Sequence, residues 1–104
     1  MPREINDDMN SFVSSYKKGM SFERFLKRCF EDKGYVVIRP SGSEPFDLIC
    51  LSKKQNLAIE AKYSGRVSKK QREKQLMLAE KAGLVYVTAV RQKDGSIKFT
   101  KYDD

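Results

Sequence analysis

In "GMSFERFLKRCFEDKGY" the apolar positions Phe22, Phe25, Leu26, Cys29 and Phe30 recur at i, i+3, i+4, i+7 and i+8. That is the stripe of an amphipathic helix, and Gly34 ends it. Glu23 lies at the border of the stripe, about 100° round from Phe22. The period then shortens. "YVVIRP" reads as a strand stopped by Pro40 and the "PSGSEP" loop. "FDLICLS" is apolar on both faces, as in a central strand covered from two sides, and Asp47 is its only charge. In "NLAIEAKYS", residues 56–64, Leu57, Ile59, Ala61 and Tyr63 share one face of an extended chain. Glu60 and Lys62 therefore point together from the other face.

Ser68 follows "SGRV" and can cap a second helix, with Gln71 at the third helical position completing a capping box; the helix runs to about Gly83. "LVYVTAVRQ" and "SIKFTKY" alternate as strands, joined by the Asp-Gly turn of "KDGS". Residues 1–15 are polar and weakly patterned and read as an N-terminal arm or short leading helix, with Phe12 and Tyr16 the first apolar anchors. Residues 16–104 then form a single domain ordered helix, three strands, helix, two strands. This order predicts an α/β architecture, a mixed central sheet of about five strands flanked by helices. The short "SKKQN" connection makes its two flanking strands antiparallel neighbours and brings Asp47 beside Glu60 and Lys62.

Charge adds a class of partner. Lys and Arg number 21 against 14 acidic residues, a net +7 with no histidine, which favours a polyanion such as nucleic acid over a membrane surface. No run approaches the roughly 18 apolar residues of a spanning helix and no signal-like segment follows the start, so an intracellular, cytoplasmic protein without membrane attachment is expected. Cys29 and Cys50 sit in apolar patterns without metal-ligand spacing, as buried reduced thiols do. Without histidine, catalysis must use carboxylates, lysine or a bound metal. Asp47 and Glu60 with nearby carbonyl oxygens suit Mg²⁺, with Mn²⁺ as a substitute, and Glu23 can reach them from its helix border. Lys62 is placed to orient or activate water, or to meet a phosphate. Taken alone, however, Glu60 and Lys62 are equally an exposed charged pair on an edge strand, because an aspartate followed at a distance by E-x-K is a loose pattern.

The order of motifs is more specific. "YKKGMSFERFLKRCFEDKGYVVIRPSGSEPFDLICLSKKQNLAIEAK", residues 16–62, resembles the archaeal-type Holliday junction resolvases of the PD-(D/E)XK nuclease superfamily, and the likeness continues more loosely to about residue 91. The segment carries a G-x-x-x-E-R helix, a G-Y-x-V-x-R strand, a G-S loop, a D-L-I strand and an I-E-x-K strand in that order. The resemblance implies a restriction-endonuclease-like nuclease fold and metal-dependent, paired cleavage of four-way junction DNA by a homodimer. It further implies that Glu23, Asp47, Glu60 and Lys62 are catalytic, and that Glu23, Asp47, Glu60 and the carbonyl of Ala61 form the metal site. Arg24, Arg39 and Ser43 would contact the junction backbone. The basic cluster Lys69, Lys70, Arg72 and Lys74 adds candidate phosphate contacts, Lys69, Lys70 and Arg72 foremost, although an ordinary solvated face explains it too.

Three features depart from the family pattern. The proline of the name motif stands one place early, in Pro45-Phe46-Asp47; Ala82 replaces an aromatic used in some relatives' dimer contact; and the N-terminal arm is about a dozen residues longer. Gln71 resembles a polar residue that related nucleases carry on this helix, but the capping box explains it as well and it is left outside the site. A dimer interface is expected on the second helix and final strands, at Leu76, Met77, Leu84 and Tyr86. Two other readings share these residues. One is a small nuclease acting on duplex, flap or damaged DNA; the other is a non-catalytic basic DNA-binding module.

Overall fold

The computed structural model describes residues 2–5 and 21–102. Its elements are β1 (Pro2–Ile5), α1 (Phe22–Asp32), β2 (Val36–Ile38), β3 (Leu48–Leu51), β4 (Leu57–Lys62), α2 (Lys69–Ala82), β5 (Val85–Arg91) and β6 (Ile97–Tyr102). The strands form one sheet in the order β1-β6-β5-β4-β3-β2. Among the described strands only β4 and β5 run parallel, with α2 as their crossover, and the other pairs are antiparallel. This is the mixed α/β sheet that the periodicity predicts, with one more strand. Where the pattern suggests an arm or leading helix, Pro2–Ile5 pairs with the outer edge of β6, from Pro2 opposite Tyr102 to Ile5 opposite Phe99. Edge pairing is made by backbone groups, so four residues can form it without a legible side-chain period. The rest of the expected arm, with Phe12 and Tyr16, lies outside the described residues.

Local chemistry sets the helix ends. The Ser21 hydroxyl accepts from the Arg24 amide at 3.1 Å and caps α1; Ser68 does the same for α2 through the Gln71 amide at 3.2 Å. Beyond α2, Gly83 takes φ 73°, and Leu84 N donates to Ala79 O at 2.8 Å, closing the helix with a left-handed residue that glycine adopts without steric cost. β2 is shorter than "YVVIRP" suggests, since Pro40 has no N–H for the ladder and leads into a turn at Ser41–Ser43.

The two faces of the sheet are covered differently. α1 lays Phe22, Phe25, Leu26, Cys29 and Phe30 against Leu48, Cys50, Leu57, Ile59, Val87 and Phe99. Its whole apolar stripe is buried. α2 buries only Gln75 and Ala79, over a smaller cluster of Phe46, Ala58 and Tyr86. At one end of the sheet, the Arg91 guanidinium stacks 4.1 Å from the Tyr63 ring centroid, and Phe22 meets the same ring edge-on at 5.9 Å. The start of α1 is thereby tied to the ends of β4 and β5. No helix among the described residues is long and apolar enough to cross a membrane.

Both cysteines are buried and unbonded to each other, as their apolar surroundings imply. Burial pushes each thiol up to about 12, with the charge of Asp32 adding to the effect at Cys29. The reactive thiolate is therefore scarce near neutral pH. At pH 8 neither thiol should react with a disulfide reagent until the protein unfolds, when both should react together. Stoichiometric labelling of the native protein within seconds would contradict this packing.

Candidate active site

Antiparallel pairing of β3 with β4 puts the start of one and the end of the other at the same end of the sheet. The end of β2 and the end of β5 join them there. Asp47, Glu60, Ala61, Lys62 and Arg39 are gathered by this topology alone. Asp47 precedes the first residue of β3, its amide donating to Ile59 O at 3.0 Å. Beyond that point its carboxylate takes over from the ladder: Oδ2 accepts from Ala61 N at 2.8 Å. Alternate residues of β4 bond to opposite neighbours, with Asn56 O turned to β5 and Ile59 O turned to β3. By this alternation the Ala61 carbonyl also opens on the side of Asp47.

Glu60 lies against Asp47, and both are nearly out of solvent, at 7% and 8% exposure. Each oxygen of Glu60 accepts a hydrogen bond from α2, Oε1 from Gln75 Nε2 at 2.8 Å and Oε2 from Gln71 Nε2 at 3.0 Å. Gln75 Nε2 also donates to Pro45 O at 3.0 Å, while its own Oε1 accepts from the Tyr86 hydroxyl. Burial holds the Glu60 carboxyl above the usual carboxylate range, and the neighbouring Asp47 charge raises it further. The Gln75 hydrogen bond and the Lys62 charge act in the opposite sense. Two buried carboxylates thus lie side by side as a pair of hard oxygen donors.

Glu23 stands apart from that pair. It lies in the α1 layer, where Oε1 accepts from the Arg39 guanidinium at 3.3 Å, an ion pair exposed enough to add little stability. Among the described residues no group of three or more Asp, Glu, Cys or His side chains is arranged to hold a metal. The structure therefore brings together Asp47, Glu60 and Lys62 with the Ala61 backbone, and leaves Glu23 beside Arg39. Arg24 is exposed in the first turn of α1, and Ser43 belongs to the turn after β2. Lys69 is exposed, 3.9 Å from Glu73.

Glu60 lines one of two neighbouring clefts. One, of about 490 Å³, is lined by Pro45, Glu60, Lys70, Gln71, Lys74 and Gln75. The other, of about 470 Å³, runs past Thr88 between Arg66, Arg72, Arg91, Lys93 and Lys98. Thr88 is the neighbour of Glu60 in the parallel register, so the basic cleft begins one strand away from the carboxylates.

The model of the archaeal Holliday junction resolvase (Hjc) family matches residues 14–104. The chain belongs to that family. Over 51 residues, 49% of its length, it is 49% identical to the crossover junction endodeoxyribonuclease Hjc of Methanocaldococcus jannaschii. The match spans 38% of that relative's length. Its fold is similar to that of Archaeoglobus fulgidus Hjc, a Holliday junction resolvase from an archaeal hyperthermophile, with a TM-score of 0.59 at 24% identity over 74% of this chain and 82% of the other.

Seen as a member of the Hjc family, the chain holds two surprises. The capping box at Ser68 is half made: Ser68 caps α2, but the Gln71 side chain turns to Glu60 instead of back to Ser68. Gln71 belongs with the site. Gln75 and Tyr86 were not legible as site residues, although the signal for Gln75 exists: it lies four residues from both Gln71 and Ala79, a polar position inside the sheet-facing side of α2. The cations Arg66, Arg91, Lys93 and Lys98 escape notice in the sequence because loops and strand ends scatter them.

The raised Glu60 carboxyl has a consequence for stability in metal-free buffer. The folded state keeps this proton to a higher pH than the unfolded chain, whose value is near the ordinary 4.5. Stability from this group is thus present below pH 4.5 and lost as pH rises through the raised folded value. With EDTA present, Glu60→Gln should melt at a higher temperature than the wild type at pH 7.5 and no higher at pH 4. The half-buried Gln71 can turn its amide to suit the new side chain. A Glu60→Gln protein less stable than the wild type at pH 7.5 would contradict the desolvation argument.

Proposed function

We propose that the protein is a metal-dependent, structure-selective endodeoxyribonuclease that resolves four-way DNA junctions. The observation that carries this reading is the buried Asp47–Glu60 pair beside Lys62 at one sheet end, in a chain of the Hjc family. Asp47, Glu60 and the Ala61 carbonyl offer a donor set suited to Mg²⁺, with Mn²⁺ as substitute, since such ions use one or two carboxylates and otherwise keep water and substrate oxygens. When bound, the ion neutralises the developing charge on the phosphate and makes water a better nucleophile. Lys62 orients that water or meets the scissile phosphate. In the hydrolysis a water oxygen forms a bond to phosphorus, a phosphorus–sugar oxygen bond breaks, and the leaving oxygen takes up a proton. Glu23, in contact with Arg39, would serve the same site from α1.

Phosphate contacts hold the substrate. Arg24, Arg39 and Ser43 would meet the backbone on the α1 side, while Lys69, Lys70 and Arg72 would do so at the start of α2. The cleft of Arg66, Arg91, Lys93 and Lys98 provides a further basic track. A four-way junction has approximate two-fold symmetry, so a two-fold homodimer can present one site to each of two matching phosphodiesters. Of the residues expected at such an interface, Tyr86 is fully buried in the core and serves Gln75, whereas Met77 is 64% exposed on α2. Leu76 and Leu84 pack half-buried against the smaller cluster. Met77 is thus the one of the four best presented to a second copy.

With labelled four-way junction, linear duplex and flap in Mg²⁺, the junction should be cut preferentially, and EDTA should stop cleavage. Asp47→Ala and Glu60→Ala should lose cleavage by at least about a thousandfold while binding junction in EDTA as the wild type does. Glu23→Gln should lose less than either. Full cleavage by Asp47→Ala or Glu60→Ala would refute the site, and equal cutting of duplex would favour a different nuclease of this superfamily.

In sedimentation at micromolar concentration the wild type should be a dimer, and Met77→Glu should shift it towards monomer while replacing paired incisions by single nicks. Paired, symmetric incisions by a monomeric wild-type species would overturn the dimer mechanism.

A further inference from the structure

We infer that Gln75, oriented by Tyr86, is a positioning residue that sets the placement of the Asp47 and Glu60 carboxylates relative to each other. The inference rests on the reading of that pair as a divalent-cation site. Both amide hydrogens of Gln75 are in use, one on Glu60 Oε1 at 2.8 Å and one on Pro45 O at 3.0 Å. Pro45 lies two residues before Asp47, so one planar amide spans the carboxylate on β4 and the backbone leading to the carboxylate at β3. Its length is fixed by covalent geometry.

The amide cannot turn over. Its Oε1 accepts from the Tyr86 hydroxyl, and reversing the group would face that oxygen against the Glu60 carboxylate and the Pro45 carbonyl, two acceptors. Gln75 is 6% exposed and Tyr86 is 0% exposed, so water is poorly placed to relieve such a clash. Tyr86 acts twice. Its hydroxyl orients Gln75, and its ring packs 6.3 Å from that of Phe46, the buried residue between Pro45 and Asp47. The approach to Asp47 is therefore anchored at both Pro45 and Phe46 by the same two side chains. Gln71, on the other oxygen of Glu60, is half-buried in the wall of the cleft.

Ions of this class demand oxygen ligands at about 2.0–2.1 Å in near-octahedral array. Loss of an outer partner that orients such a ligand typically weakens metal binding about 10–100-fold. Mn²⁺ binding to the full chain without DNA, followed by calorimetry, tests this directly, with junction binding in EDTA measured in parallel. Gln75→Leu should bind Mn²⁺ about 10–100-fold more weakly than the wild type while retaining its junction affinity. Tyr86→Phe keeps the ring against Phe46 and removes only the hydroxyl, so its Mn²⁺ affinity should fall by a smaller factor. It carries the test alone if Gln75→Leu does not fold. A general structural role would weaken junction binding together with Mn²⁺ binding, and that outcome would overturn the inference, as would Mn²⁺ affinity unchanged from wild type in either folded variant. If the wild type itself takes up no Mn²⁺, the cation-site reading fails and the inference falls with it, a result distinct from a Mn²⁺-binding wild type matched by its variants.

Discussion

Two carboxylates held side by side out of water repel each other, and much of the structure around Asp47 and Glu60 serves to tolerate that repulsion. The cost of burial is met locally. Asp47 is held by the Ala61 amide, Glu60 by the amides of Gln71 and Gln75, and the Lys62 charge favours the ionised Glu60. Hydrogen bonds to a buried anion are stronger than those between neutral groups, and each is costly to remove. Even so, Glu60 remains harder to ionise than a free glutamate. An arrangement that opposes its own charge has a physical rationale at a functional site, where a bound cation or substrate removes the opposition.

The two helices divide the work that makes this possible. α1 places an entire apolar stripe on the sheet, with Phe30 meeting Tyr35 and Phe99 edge-on. That layer supplies most of the apolar burial in a domain this small. α2 is left to carry polar groups on its buried side, and its position follows from the topology. Among the described strands only β4 and β5 are parallel, a parallel pair needs a crossover, and this crossover is α2. The helix required to close the parallel pair is therefore the helix laid across Glu60.

Positive charge lies on several sides of the pair. The Arg39–Glu23 contact marks the α1 side, Lys70 and Lys74 line the cleft beside Glu60, and Arg66, Arg91, Lys93 and Lys98 line the cleft beyond Thr88. With a net charge of +7, the surface suits a phosphate backbone that approaches the carboxylates from more than one direction. A polyanion is attracted by the whole surface but repelled at its centre. A cation at Asp47 and Glu60, as proposed, would resolve that conflict.

Local patterns along the chain specify both helices, the Ser68 cap of α2, β2 to β6, the antiparallel placement of Asp47 beside Glu60, and the buried state of Cys29 and Cys50. Each of these follows from a period of two or 3.6 residues, a capping side chain or a short connection, all of them local. Its ordered motifs also pointed to the Hjc family. The strand at Pro2–Ile5 was not legible, because an edge strand is chosen by a free row of backbone groups on β6 and four residues carry no period. Nor was Gln71's turn toward Glu60 visible, since a capping box explained the same residue without reference to the sheet. Tyr86 reads as an interface aromatic, and Gln75 carries no site signal of its own beyond its spacing from Gln71 and Ala79. Only the tertiary structure decided otherwise, because which helical side chain meets a buried carboxylate depends on how α2 lies across β4, a relation between distant segments that no local pattern encodes.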